Sequence, residues 1–105
     1  MSININSKLD SNNKIWDINL EGELDVSTAD KLKECLNELL NEEIADMKLN
    51  LENLDYIDST GLGVMIGILK KLKIENKEIY IVNPKNKVRK IFNITGLDKI
   101  FKMEG

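Results

Sequence analysis

The spacing of apolar and polar residues changes along the chain, and each spacing predicts one kind of element. In the segment from Lys14 to Leu24, the apolar residues Trp16, Ile18 and Leu20 alternate with polar residues, which is typical of a strand with one buried face. A similar run covers residues 47–53, and shorter apolar runs at 3–6 and 78–82 complete four predicted strands. The turn residues in "DSNNK" predict that the first two strands form a hairpin.

Three other segments carry apolar residues at the spacing of a helix. Ser27 begins an S-x-x-D pattern and predicts the start of the first helix, whose buried side would be Ala29, Leu32, Leu36, Leu39 and Leu40. The second helix is predicted over residues 59–76. The third is predicted to have Asn83 as its cap, Pro84 in its first position and Gly96 at its end.

The predicted order is therefore β-β-α-β-α-β-α, followed by a short strand or tail at residues 99–103. Strands that alternate with helices predict a mostly parallel sheet, and the opening hairpin makes the sheet mixed. The strand at 47–53 alternates rather than being apolar throughout, so part of the sheet should have a solvated face. We predict a single α/β domain over residues 1–105, with four to five strands and helices mainly on one face.

Composition and charge narrow the classes of partner. The net charge is −3, and this acidic balance argues against a nucleic-acid-binding protein. No apolar run is long enough to cross a bilayer, and the N-terminus lacks the features of a signal peptide. Because Cys35 is the single cysteine, no internal disulfide can form. These features predict a cytoplasmic protein that binds neither nucleic acid nor membrane, and nothing in the sequence requires more than a monomer.

The chain contains no histidine, which excludes histidine-based catalytic triads and ordinary zinc sites. Carboxylate-based acid–base chemistry stays open in principle, but the commonest catalytic base is missing. The sequence therefore favours a binding or switch protein over an enzyme, with no metal and no cofactor.

The candidate site is the polar stretch "DST" between the extended segment that ends in "YI" and the second helix. Asp58, Ser59 and Thr60 can each cap a helix, so a plain structural role is one interpretation. Ligand-facing residues of open α/β sheets gather beyond the carboxyl ends of strands, which favours a functional site. A helix N-terminus also suits an added anion.

That anion could be the phosphate of a bound ligand or a phosphate attached to a hydroxyl. "GLGVMIG" does not match a dinucleotide-binding pattern, because Ile66 stands where the third glycine belongs, and no P-loop is present. Phosphorylation of Ser59 or Thr60 requires only an exposed hydroxyl. The added charge of about −1.5 to −2 would change what can dock there without unfolding the helix end.

These residues and two flanking segments resemble the STAS-domain family, and specifically its bacterial anti-sigma factor antagonists. The central segment, "LNLENLDYIDSTGLGVMIG" at 49–67, carries the closest resemblance, to the family's phosphorylation segment. "GELDVSTADKLK" at 22–33 and "NPKNKVRKIFNITGLDKIF" at 83–101 support it in order and spacing. Many members continue into a further C-terminal helix, which would be short or absent here.

The resemblance implies a function. The unphosphorylated antagonist would bind an anti-sigma factor that is also a serine kinase and would thereby free the sigma factor. The kinase would phosphorylate Ser59 with its own ATP, the complex would separate, and a serine phosphatase would restore the antagonist. The implied partner-binding residues are Asp25, Asp58, Ser59, Thr60, Gly61, Leu62 and Gly63.

An alternative within the same family is a non-enzymatic scaffold or regulatory subunit of a sensory or transport assembly. The intact D-S-T-G segment favours the phosphorylated antagonist, and a chain with a single domain disfavours a module fused to a transporter. The neighbouring genes would distinguish the two hypotheses, because a small ATP-binding kinase and a sigma factor encoded next to this protein would favour the antagonist.

Overall fold

A computed structural model describes residues 2–105 as one mixed sheet covered by helices. Its elements, in chain order, are β1 Ile3–Asp10, β2 Ile15–Leu24, α1 Ala29–Glu42, β3 Asp46–Ile57, α2 Ser59–Ile74, β4 Ile79–Val82, α3 Asn86–Thr95 and β5 Lys102–Glu104. A short 3-10 helix at Leu97–Lys99 precedes β5. The order of strands and helices confirms the sequence prediction, and the tail does form a fifth strand.

The strands lie in the order β1-β2-β3-β4-β5. β1 pairs with β2 in the antiparallel sense, and the other three pairs are parallel, so the mostly parallel mixed sheet is confirmed. Each helix joins two neighbouring parallel strands, and every crossover steps in the same direction across the sheet. Because such crossovers are right-handed in nearly all proteins, this order places all three helices on one face, and their buried residues share one core cluster with the strands.

The core lies between that face and the helices. The residues of the three central strands that point into it are buried: Trp16, Ile18, Leu20, Met47, Leu49, Leu51, Ile79 and Ile81. The opposite face carries polar side chains that are exposed or half-buried, among them Asp17, Asn19, Lys48 and Asn50. The predicted solvated face of the sheet is therefore present.

Two predicted helix starts are wrong. α1 begins at Ala29, two residues after the predicted cap, and Ser27 instead uses its hydroxyl in the preceding turn, where it donates to Asp25 Oδ1 at 2.6 Å. α3 begins at Asn86, so Pro84 lies before the helix rather than in its first position. Short polar side chains compete for local backbone conformations, and the pattern alone does not reveal which one wins. The predicted end of α3 at Gly96 is confirmed by its left-handed φ of 75°.

Gly22 allows β2 to continue to the site. The register between β2 and β3 shifts on both sides of this residue, which has a φ of 113°. A Cβ atom here would collide with the Ser2 carbonyl oxygen, so a side chain would be strained for two separate reasons. Beyond this irregularity β2 still pairs with β3, and Leu24 lies opposite Ile57. The two strands therefore end at the same edge of the sheet.

Candidate functional site

The site lies at this edge, where the chain leaves β2 and β3. Asp25 directly follows β2, and Asp58 directly follows β3. The Asp58 N–H donates to the Leu24 carbonyl oxygen at 3.1 Å, which ties the two segments together. Two stretches more than thirty residues apart in the chain therefore form one surface, because both follow neighbouring parallel strands and leave the sheet at the same end.

Asp58 is the cap of α2. Its backbone is extended, and its Oδ1 accepts a hydrogen bond from the Gly61 N–H at 3.1 Å. Ser59 and Thr60 are the first two helical residues, and both are exposed. None of the side-chain hydrogen bonds in residues 2–105 uses either hydroxyl. Capping thus requires one of the three polar residues and leaves two hydroxyls available to solvent.

The next three predicted contact residues divide between core and surface. Gly61 is buried, and a Cβ atom there would lie 2.5 Å from Leu24 Cγ, so the glycine allows α2 to approach the end of β2. Leu62 is 8% exposed and belongs to the core cluster. Gly63 is exposed, and a Cβ atom there would meet nothing within 4 Å. Gly61 and Leu62 hold the helix in place, whereas Gly63 faces outward.

Asp25 is buried within its own turn. Its Oδ1 accepts hydrogen bonds from the Ser27 hydroxyl at 2.6 Å and from the Ser27 N–H at 2.8 Å. The buried Thr28 hydroxyl donates to the Glu23 carbonyl at 2.8 Å and accepts from the Asp25 N–H at 2.9 Å. These bonds hold the β2–α1 turn in one conformation. Sequence reasoning assigned Ser27 to the helix, although D-x-S is also the pattern of an Asx turn.

The hydrogen bond from the Ser27 hydroxyl holds the pKa of Asp25 below its ordinary value, because it stabilises the charged carboxylate. We expect Ser27→Ala to raise the pKa of Asp25, as followed by NMR titration of the carboxyl carbon. Ser11→Ala, in the distant hairpin, is the matched control and should leave this pKa unchanged. Because the pKa of Asp25 is lowered by folding, its carboxylate stabilises the folded protein at pH values above the unfolded-state pKa. This stabilisation is lost as the pH falls through the folded-state pKa. An unchanged titration in Ser27→Ala would show that the hydroxyl is not the cause.

The same turn presents an apolar side chain that sequence reasoning missed. Val26 is 77% exposed, between Asp25 and Ser27. An apolar residue in a polar turn is a weak signal in the sequence, because only the structure shows that the side chain points outward. The β2–α1 turn therefore presents an apolar side chain at this end of the sheet.

Within residues 2–105, no cluster of three or more acidic or cysteine side chains could hold a metal ion. None of the helices in the same part of the chain is long and apolar enough to cross a membrane.

Residues 6–105 match the family model of the STAS domain, so the chain belongs to the STAS-domain family. An anti-sigma-B factor antagonist of Staphylococcus aureus is 39% identical over 95 residues, which cover 90% of this chain and 88% of that protein. These matches confirm the family predicted from the three sequence segments.

Solved structures share the fold. A Thermotoga maritima protein assigned as an anti-sigma factor antagonist is 27% identical with a TM-score of 0.86, and the match covers 96% of this chain and 86% of that one. The antagonist SpoIIAA matches in its unphosphorylated form with a TM-score of 0.75 at 21% identity, covering 95% of this chain and 86% of that one. Its phosphorylated form, from Bacillus, matches with a TM-score of 0.74 at 22% identity, covering 95% and 90%.

Proposed function

We propose that this chain is a partner switch in which a phosphate on Ser59 ends the binding of an anti-sigma factor. The chain is an anti-sigma factor antagonist, as its family and its Staphylococcus aureus relative support. In its unphosphorylated form it binds the anti-sigma factor through the surface around Ser59, and the sigma factor is released. The phosphorylated form no longer binds.

The observation that carries this proposal is the exposed hydroxyl of Ser59 in the first position of α2. Asp58 already provides the cap, so modification of Ser59 removes no hydrogen bond from the fold. The first turn of α2 contains no acidic residue, and the partial positive charge of the helix end favours an added phosphate. A partner lying over the same hydroxyl would meet new bulk and negative charge. The change therefore acts on binding and spares the fold.

The chemistry requires little from this chain. Ser59 Oγ would attack the γ-phosphorus of ATP held by the anti-sigma factor, ADP would leave, and the hydroxyl proton would pass to a base of that kinase. A serine phosphatase would hydrolyse the phosphoserine and restore the binding form. We propose that the antagonist supplies the acceptor and the docking surface and has no catalytic role of its own.

The test is phosphorylation by the cognate anti-sigma factor with ATP, followed by mass spectrometry of the modified peptide. We expect one phosphate on Ser59 and none in Ser59→Ala, which should still bind the kinase. Thr60→Val removes the neighbouring exposed hydroxyl, and the phosphate that this variant receives should still be found on Ser59. Phosphate on Thr60 alone would overturn the assignment. A stable complex without any phosphorylation would instead support the scaffold alternative.

A further inference from the structure

A groove of about 320 Å³ runs between α1 and α2 and opens beside the proposed phosphorylation site. Thr60, the neighbour of Ser59, is one of its lining residues. Val64 and Ile68 provide an apolar lining, and the first of these is only half-buried. The groove is thus continuous with the Ser59 surface and extends it along the helix pair.

Two glycines keep the groove open. Gly63 and Gly67 both line it, and a Cβ atom at either position would meet nothing within 4 Å. Together with Thr60 and Lys71 they follow one side of α2, because residues three or four apart share a helix face. Side chains at the two glycine positions would fill space that the protein leaves to solvent.

Two of the residues that line the groove are cationic. Lys33 of α1 and Lys71 of α2 both line it, and neither belongs to the two ion pairs formed within residues 2–105. The Lys71 ammonium donates to Asn37 Oδ1 at 2.5 Å, which places it across the groove from its own helix. An apolar lining with ammonium groups beside it complements an apolar side chain flanked by a carboxylate.

We propose that this α1–α2 groove is a second docking site for the anti-sigma factor and receives a segment with an apolar residue next to an Asp or Glu. The proposal rests on the proposed function, since it assumes that the partner covers Ser59. A partner placed there lies against Thr60 and reaches the groove directly. The groove then supplies affinity and partner selectivity from residues outside the phosphorylation segment.

The test compares Gly67→Leu with Gly67→Ala. Leucine and alanine have similar helix propensities but side chains of different bulk, so the comparison isolates the effect of filling the groove. We expect Gly67→Leu to fill the groove and weaken anti-sigma factor binding about tenfold by calorimetry, as truncation or blockage of a well-packed contact does. Gly67→Ala adds a single methyl group and should lose less affinity than Gly67→Leu, and both variants should be at least as stable as the wild type in urea.

Charge reversal provides a second comparison. Lys71→Glu and Lys70→Glu change the net charge equally, but Lys70 does not line the groove. We expect the Lys71→Glu variant to lose affinity, most at low salt, and the Lys70→Glu variant to bind normally.

Several outcomes would overturn the groove proposal. Normal binding by Gly67→Leu, with phosphorylation of Ser59 intact, would show that the partner covers Ser59 without entering the groove. Self-association of the wild type that Gly67→Leu abolishes, seen by sedimentation, would assign the groove to a second copy of this chain. A wild type that neither binds the anti-sigma factor nor is phosphorylated would overturn the proposed function, and the groove proposal that rests on it would fall as well.

Discussion

Ser59→Asp is expected to weaken binding of the anti-sigma factor about a hundredfold, which corresponds to about 2.8 kcal/mol of binding free energy. A loss of this size is within reach, because an unfavourable charge placed in an interface costs several kcal/mol. The same variant should unfold like the wild type. Residue 59 is exposed at the first position of α2, where a carboxylate meets the positive end of the helix. Calorimetric titration measures the binding, and urea unfolding measures the stability.

Asn86→Asp is the matched control for this variant. Asn86 is the exposed first residue of α3, so the substitution adds the same charge at the same position of another helix. We expect it to bind the partner normally. Undiminished binding by Ser59→Asp would contradict the switch, and a large loss of stability would contradict the helix-end argument.

Gly61→Ala is expected to lower the free energy of unfolding by about 2 kcal/mol, within the usual range for overpacking a core. The new Cβ atom would lie 2.5 Å from Leu24 Cγ and 2.8 Å from Leu24 Cδ2. Leu24 is fully buried and its backbone pairs with β3, so it has little room to move. The start of α2 would have to shift away from β2, and Ser59 would shift with it. Urea denaturation measures the loss.

Gly63→Ala is the matched control, because it lies two residues further along the same helix with open space around its Cβ position. It should raise the free energy of unfolding by about 1 kcal/mol through helix propensity alone. If both variants are equally stable, α2 is not held against Leu24 in the way the structure shows.

The predicted bounds of helices and strands were wrong where a polar side chain bonded to a turn instead of a helix end, or where strand pairing was irregular. In β3, buried and outward-facing residues alternate only as far as Leu51. The next buried residues are Leu54 and Ile57, and two exposed residues precede each of them. This break coincides with the register shifts between β2 and β3, and a bulge changes which side chains face the core. The start of α1 was misplaced because the Ser27 side chain bonds to Asp25 rather than to the helix end.

The candidate site was predictable in part. Asp58, Ser59 and Thr60 could be identified from their position between a strand and a helix, and the family resemblance added Asp25. The exposure of Val26, the packing of Gly61 on Leu24 and the α1–α2 groove depend on contacts between segments far apart in the chain. No local pattern reports those contacts.

By itself, the sequence determined the order of elements, the mixed sheet, the family and the polar segment at the start of α2. The spacing of apolar residues is a local property of the sequence, because every strand or helix that buries one face must place apolar residues at its own period. Only the tertiary structure decided which hydroxyls remain free, which glycine is packed and which is open, and that the two strand ends form one surface. Those outcomes depend on how far one segment approaches another, and that distance is set by packing across the whole core.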